Sequence, residues 1–337
     1  MHYHYLLKQV PIALISSNYM TMAAESCHEY DAPDAAWGLP AHLSEQQSRV
    51  LQQLKVEVTV EQMNGIKFRV ESIDSALCRF LRARNFDLRL AAELIQDCLR
   101  RKKARGISKS MELGASGCLG CPVELYQKFN PSWFVGFDKH LHPICVKKCG
   151  AINTTALKCL ADLENMLSYH WYEMESLNGH FSLCQQEEGN HKVGFTLIID
   201  LQGFRHRLAT SKLLAQYLST ICEDGALMYP ELLHKVFVLN TPKVFAGVWR
   251  LLRSALPART AAKVQIFPAA PAGAARAALL EQIDAGVLPA EYGGAALGAL
   301  PPRAPGAEVL QLGGFGRAAA ARRRLSVEEG GRTVLRA

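Results

Sequence analysis

Gly194-Phe-Thr-Leu-Ile-Ile-Asp-Leu-Gln-Gly-Phe204 (GFTLIIDLQGF) is the stretch whose reading decides the fold. Phe195, Thr196, Leu197, Ile198 and Ile199 form an apolar, β-rich run that ends at Asp200 and a glycine turn. An apolar run bounded in this way reads as a strand buried on both faces, at the centre of a parallel sheet. A second run of the same kind, Lys235-Val-Phe-Val-Leu-Asn240, follows one helical pattern later, after TSKLLAQYLSTI. Strand, helix and strand make a βαβ unit, because parallel neighbours need a crossover of a dozen or more residues. The fold class is therefore α/β.

The chain has 337 residues, enough for one large domain or two small ones. Its apolar fraction of 49% is ordinary for a globular protein and excludes wholesale disorder. The formal net charge of +7 gathers in RRKKARGISK (Arg100 to Lys109) and in a tail carrying Arg322, Arg323, Arg324, Arg332 and Arg336. Such clusters suit nucleic acid, an anionic membrane surface, or solubility alone. No apolar run reaches the ~18 residues that a membrane span requires. The opening MHYHYLLKQVPIALISSNYM is interrupted by Lys8 and Pro11, lacks a basic leader and does not read as a secretion signal. The ten cysteines then point to reduced thiols in a cytosolic protein.

Residues 1–44 show no sustained period and read as a disordered leader. Ser44 caps a helix, with Gln47 at the capping-box position. SIDSALCRFLRARNF repeats Ile73, Leu77, Phe80 and Leu81 on one face. A third helix follows Asp87 as N-cap and ends at Gly106 behind a basic last turn. These helices make a small module over 45–110. MELGASGCLGCP reads as a loop. Trp133–Phe137 and Pro143–Cys149 are short strands around an Asp138-Lys-His-Leu-His142 turn, and one long helix is expected over Thr154–Asn178. TPKVFAGVWRLLRSALP, after the second strand, is a helix too apolar for an ordinary surface helix. A last strand covers Lys263–Phe267 and the Ala-rich segment after it holds one helix. From Ala296 onward, composition suggests a disordered tail, 296–337.

These motifs line up with a family. DSALCRFLRARNFDLRLA resembles the helical leader of the CRAL-TRIO lipid-binding proteins. TLIIDLQG, MYPELLHKVFVLNTPKVFAGVWRLLRSAL and LEQIDAGVLPAEYGG resemble that family's lipid-binding domain, in the same order, and the likeness runs from about residue 70 to 294. It is greatest to the yeast-type phosphatidylinositol/phosphatidylcholine transfer proteins. The resemblance implies a helical module before a lipid-binding domain at 120–295, whose mostly parallel sheet floors an apolar pocket under a lid helix. The lid would be Thr241 to Leu256. Phe195, Leu197 and Ile199 would line the floor, with Val244, Phe245, Val248, Trp249 and Leu252 on the lid. In the phosphatidylinositol-transfer members an Arg, a Glu, a Thr and a Lys hold the inositol phosphate, and these fall on Arg84, Glu231, Thr260 and Lys263. Lys and Arg neutralise a phosphodiester, Thr adds a neutral donor, and Glu orients Lys or accepts from inositol hydroxyls.

The sequence also departs from the family. The Lys that follows the leader Arg is Asn85 here. The Ser and Thr that serve a choline lipid are Phe195 and Leu197, which puts phosphatidylcholine binding by those contacts in doubt. Thr196 points to the opposite face of the strand. Cys118-Leu-Gly-Cys121 with Cys145 and Cys149 invites a zinc reading. Two cysteines four apart on a strand, however, lie about 13 Å from each other and cannot share one ion. No glycine-rich phosphate loop, HExxH or GxSxG occurs. His170 and His234 read as packed or surface residues.

The expectation is a non-enzymatic carrier, with no cofactor and no metal, that extracts and exchanges a phospholipid, phosphatidylinositol, at cytosolic membranes. It would be a monomer that binds no nucleic acid. It would be cytoplasmic and peripherally associated with Golgi/endosomal or plasma membrane, in membrane trafficking. Two alternatives stand beside it: a carrier of a tocopherol, retinoid or sterol-like ligand, and a membrane-recruited adaptor worked by the basic clusters.

Overall fold

The computed structural model describes residues 37–183, 193–243, 245, 249–250, 253, 258–269, 273–296, 325–327 and 333–335. Helices come first: α1 (Glu45–Glu57), α2 (Val60–Ile66), α3 (Ile73–Ala83) and α4 (Leu88–Ala104). The capping boxes at Ser44 with Gln47 and at Thr59 with Gln62 fix the starts of α1 and α2, and the Asp87 side chain caps α4. The apolar faces of the four helices meet in one core that includes Leu51, Leu54, Leu77, Phe80, Leu94 and Ile95.

The expected loop after α4 is instead a helix, α5 (Ile107–Leu119), kinked at Gly114, where φ is 67° and ψ 177°. Glycine adopts this backbone without strain, so helix signals on either side of it were hidden by composition. The short α6 (Val123–Gln127) leads into β1 (Ser132–Phe137) and β2 (Pro143–Lys147), an antiparallel pair. Cys149 falls in the 3-10 turn Cys149–Ala151 beyond the strand, where the sequence had extended it. The single helix expected next is two, α7 (Thr154–Leu160) and α8 (Leu163–Leu183), because Ala161 takes an extended backbone between them.

β3 (Phe195–Asp200) is the opening stretch. It is followed by α9 (His206–Ala209), α10 (Lys212–Met228) and β4 (Leu233–Thr241). Then come α11 (Ala258–Ala262), β5 (Val264–Pro268) and α12 (Gly273–Gln282). The sheet order is β1-β2-β3-β4-β5, with every pair after the first parallel. The helix expected over Thr241–Leu256 starts later, because Thr241 still belongs to β4 and Pro242 and Lys243 are not helical; Phe245, Trp249, Arg250 and Arg253 are described and helical, whereas Val244, Val248 and Leu252 lie outside the described residues. The tail expected to be without structure contains an antiparallel pair, β6 (Leu325–Val327) and β7 (Thr333–Leu335). The leader, up to residue 36, lies outside the described residues.

β3 corrects one expectation about itself. Thr196, Ile198 and Asp200 are fully buried, but Leu197 and Ile199 keep accessible surface. The buried face packs Ile198 with Ile144, Val146, Phe237 and Leu239 under Leu279, Ile283, Leu288 and Tyr292 from α12 and the turns after it. The other face is only partly covered. Asp200 closes the buried side: its carboxylate accepts from the Asn240 amide (2.7 Å), the Gln202 N–H (2.8 Å) and the Tyr292 hydroxyl (3.1 Å). The acid that ends the motif is therefore a structural clasp between the central strand and the EYGG segment that follows α12.

Candidate functional site: a cation cluster beside an open sheet face

Glu231 lies in the turn between α10 and β4, and its backbone is left-handed, with φ 58°. A non-glycine residue held there costs about 1–3 kcal/mol and persists only when its surroundings over-determine it. Arg79, 5% exposed, supplies that hold. Its guanidinium is bidentate to Glu71 (2.7 and 2.8 Å) and also donates to the Ile66 and Pro230 carbonyls, each at 3.1 Å. The helical module thus grips the residue immediately before Glu231. In the sequence Arg79 lies off the face formed by Ile73, Leu77, Phe80 and Leu81, and no local pattern gives it a role.

Three cations face the Glu231 carboxylate, whose side chain is 5% exposed. Lys263 Nζ donates to Oε2 at 3.1 Å, Arg82 Nη2 stands 3.6 Å from the same oxygen, and Arg259 Nε stands 3.9 Å from Oε1. Burial pulls the Lys263 ammonium below its ordinary pKa; Glu231 opposes this, while Arg82 and Arg259 add to it. Arg259 is lowered in the same way, by burial and by Arg82 against Glu231. The cluster carries two more positive charges than negative, and Arg82 Nε is buried without a hydrogen-bond partner. An unsatisfied buried donor amid excess positive charge is the signature of a place for an anion.

Of the four residues expected here, Glu231 and Lys263 are joined directly. Thr260 is half-buried on α11 and its carbonyl accepts from the Lys263 N–H at 3.2 Å. Arg84 is different. Its Nη1 donates to the Ala83 carbonyl at 3.0 Å, and Arg82 is the leader arginine that reaches Glu231. Arg84 already lies beyond the end of α3, with non-helical backbone at φ −124° and ψ 22°. Asn85 and Phe86 then take left-handed backbone (φ 50° and 61°) and reverse the chain. Trp37 roofs the cluster: the Arg259 guanidinium lies 4.1 Å from its ring centroid, and Phe86 packs edge-on at 5.2 Å.

Lys263 leads directly into β5 and the accessible sheet face. Leu197, Ile199, Val236, Val238, Val264 and Ile266 pave that face, with Phe245 and Trp249 packed on it. Phe195, expected on the lining, is a core residue, packed with Phe68, Trp171 and Tyr229. On β2 the register sets Cys145 beside Leu197 and Lys147 beside Ile199. Lys147 pairs with Glu173 of α8 at 3.5 Å, their side chains 30% and 27% exposed. A charged pair therefore borders the apolar floor.

The RRKK cluster is engaged within the molecule. Arg101 and Arg105 both bind the buried Asp224 of α10, Lys102 binds Glu175 at 2.9 Å, and Arg100 pairs with Asp97. These contacts dock α4 onto the α/β layer and leave less of that charge for an external partner.

A family model described as the CRAL/TRIO domain matches residues 130–294. The chain is 30% identical over 258 residues to the SEC14 cytosolic factor of Candida glabrata, covering 76% of this chain and 80% of that protein. Identity to the Sec14 cytosolic factor of Schizosaccharomyces pombe is 29% over 266 residues, or 78% and 87% of the two chains. To the phosphatidylinositol/phosphatidylcholine transfer protein SFH12 of Arabidopsis thaliana it is 28% over 221 residues, 65% of this chain and 39% of that one. The crystal structure of Sfh5 shares the fold, with a TM-score of 0.54 at 14% identity over 67% of this chain and 81% of the other. On the combined match of domain, order and fold, the chain belongs to the CRAL/TRIO family.

Proposed function

We propose that the protein is a non-enzymatic phospholipid carrier that takes a phosphatidylinositol-type lipid from one membrane surface and exchanges or presents it at another. The observation that carries this reading is the Glu231 cluster: three cations around one carboxylate, adjoining a partly open apolar sheet face. A phosphodiester satisfies the excess charge, and acyl chains suit the face paved by Leu197, Ile199, Val264 and Ile266. Burying acyl chain offsets extraction from the bilayer at roughly 0.8 kcal/mol per methylene, so the apolar face supplies affinity and the cluster supplies selection. Relatives named as phosphatidylinositol/phosphatidylcholine transfer proteins support it further. No helix among the described residues is long and apolar enough to cross a membrane, which suits a carrier that meets bilayers from outside.

The test is transfer of labelled phosphatidylinositol between vesicles by wild type, Lys263→Ala and Glu231→Ala. Transfer reduced in both variants supports the site, and transfer undiminished in both removes it. The Lys147–Glu173 pair beside the groove favours a second ligand chemistry, an apolar molecule with one polar group. Mass spectrometry of lipid co-purified with the protein separates the two, because a recovered phospholipid contains phosphorus and a recovered tocopherol, retinoid or sterol-like compound does not.

A further inference from the structure

We infer that Asp138, His142 and His234 form a binding site for a divalent cation of the zinc class. One oxygen or nitrogen donor from each of the three lies within 4.8 Å of the others, and this is the group of metal-capable side chains found among the described residues. No cysteine belongs to this group.

The construction starts at the β1–β2 turn. Asp138 Oδ1 accepts the N–H groups of His140 and His142, both at 2.9 Å, and Oδ2 accepts the Thr196 hydroxyl of β3 at 2.7 Å. A carboxylate that only accepts, from three donors, is fixed in place. Leu141 is forced into left-handed backbone, φ 65°, to close this turn. His142 leaves the turn 8% exposed and stacks on His234 of β4, with ring centroids 3.7 Å apart and planes 13° from parallel. Gly194, the first residue of the opening stretch, passes close by, its missing Cβ 3.5 Å from Cδ2 of the His142 ring and 3.8 Å from the His234 Cβ.

Two ring nitrogens in this packing are buried and have no hydrogen-bond partner: His142 Nδ1 and His234 Nε2. His142 Nδ1 stands 3.4 Å from Asp138 Oδ1 without hydrogen-bond geometry. Leaving a buried polar atom unpaired costs about 1–3 kcal/mol, and here two are unpaired beside one carboxylate. A cation between them satisfies all three. Two imidazoles and one carboxylate suit zinc, whereas calcium and magnesium take oxygen-only sets. Zinc bonds of roughly 2.0–2.1 Å put tetrahedral neighbours about 3.4 Å apart, so the rings must tilt out of the stack towards the ion. His140, its ring centroid 6.0 Å from that of His234, stands next to the group as a candidate fourth ligand. The bound ion would tie the β1–β2 turn to the start of β4, three residues after Glu231.

The test uses the full chain, stripped with chelator and titrated with Co2+ and then with Zn2+. We expect one equivalent of Co2+ with visible ligand-field absorption, without the near-ultraviolet charge-transfer band of thiolate ligation, displaced by Zn2+. His142→Ala and His234→Ala should each weaken binding by at least about tenfold. Cys118→Ser with Cys121→Ser should leave it unchanged. If His142→Ala does not fold, His234→Gln, confirmed as folded by circular dichroism, carries the comparison. A thiolate band, binding undiminished in the His234 variants, or no stoichiometric uptake of either ion would overturn the site.

Discussion

Glu231 is held by one arginine and surrounded by three other cations, and these two sets have opposite consequences for substitution. Lys263→Met removes one donor from the Glu231 cluster while keeping the length of the stem. A hydrogen bond between charged groups is worth about 1.5–3 kcal/mol, so affinity for phosphatidylinositol vesicles should drop ten- to hundredfold while the protein stays folded. Equal binding by the variant would show that the phosphate sits elsewhere. Arg79→Met acts on stability instead, because it leaves the Glu71 carboxylate, 3% exposed, without its counter-charge and with only the Phe68 N–H and the Ser75 hydroxyl donating to it. Breaking such a pair from one side costs about 3–5 kcal/mol, which a shift of the urea midpoint will register. Replacing Glu71 and Arg79 together by apolar residues should recover part of that loss, though the Pro230 carbonyl remains without its donor.

At the scale of elements, the joint between α4 and α10 depends on Asp224, whose side chain is 1% exposed between Arg101 and Arg105. The arginines are 40% and 25% exposed and can rehydrate when the carboxylate is lost. Asp224→Asn should therefore cost only about 1–2 kcal/mol, with a gap that narrows at high salt; chemical denaturation at two ionic strengths measures both. A closer meeting occurs where the turn after β2 passes the turn after β3. A Cβ on Gly150 would lie 2.1 Å from the Gln202 carbonyl oxygen and 2.5 Å from the Leu201 carbonyl carbon. Backbone atoms cannot yield as a side chain does, so Gly150→Ala should displace the end of β3 and sharply lower the yield of soluble protein. Normal yield and melting temperature would contradict this.

For the whole molecule, acid is the condition that most directly opposes folding. His170 of α8 is buried, its Nδ1 lacks a hydrogen-bond partner, and burial, with Lys147 adding, pulls its pKa from 6.5 down to about 3. The unfolded chain takes up this proton below pH 6.5, and the folded chain does so only near pH 3. In that window the unfolded state binds more protons, so stability falls as pH falls, by about 1.4 kcal/mol per unit for this group. Above pH 6.5 it contributes no slope. Urea midpoints between about pH 7 and pH 4 should decline less steeply in His170→Phe than in wild type, and parallel curves would sink the assignment.

What the sequence determined by itself was local or repeated locally. Ser44 and Asp87 announce helix starts because a cap acts within three residues, and β3 and β4 declare themselves through short, mostly apolar runs. The ordered motifs then carried the family. The tertiary structure alone decided which face of β3 stays open, because an apolar run reads the same whether one side or both are covered. It chose Arg82 over Arg84, since the phase of α3 against the core fixes which side chain turns to Glu231. It turned the RRKK charges inward to Asp224 and Glu175, and it stacked His142 on His234. Those outcomes depend on contacts between residues far apart in the chain, where spacing along the sequence carries no information about distance in space.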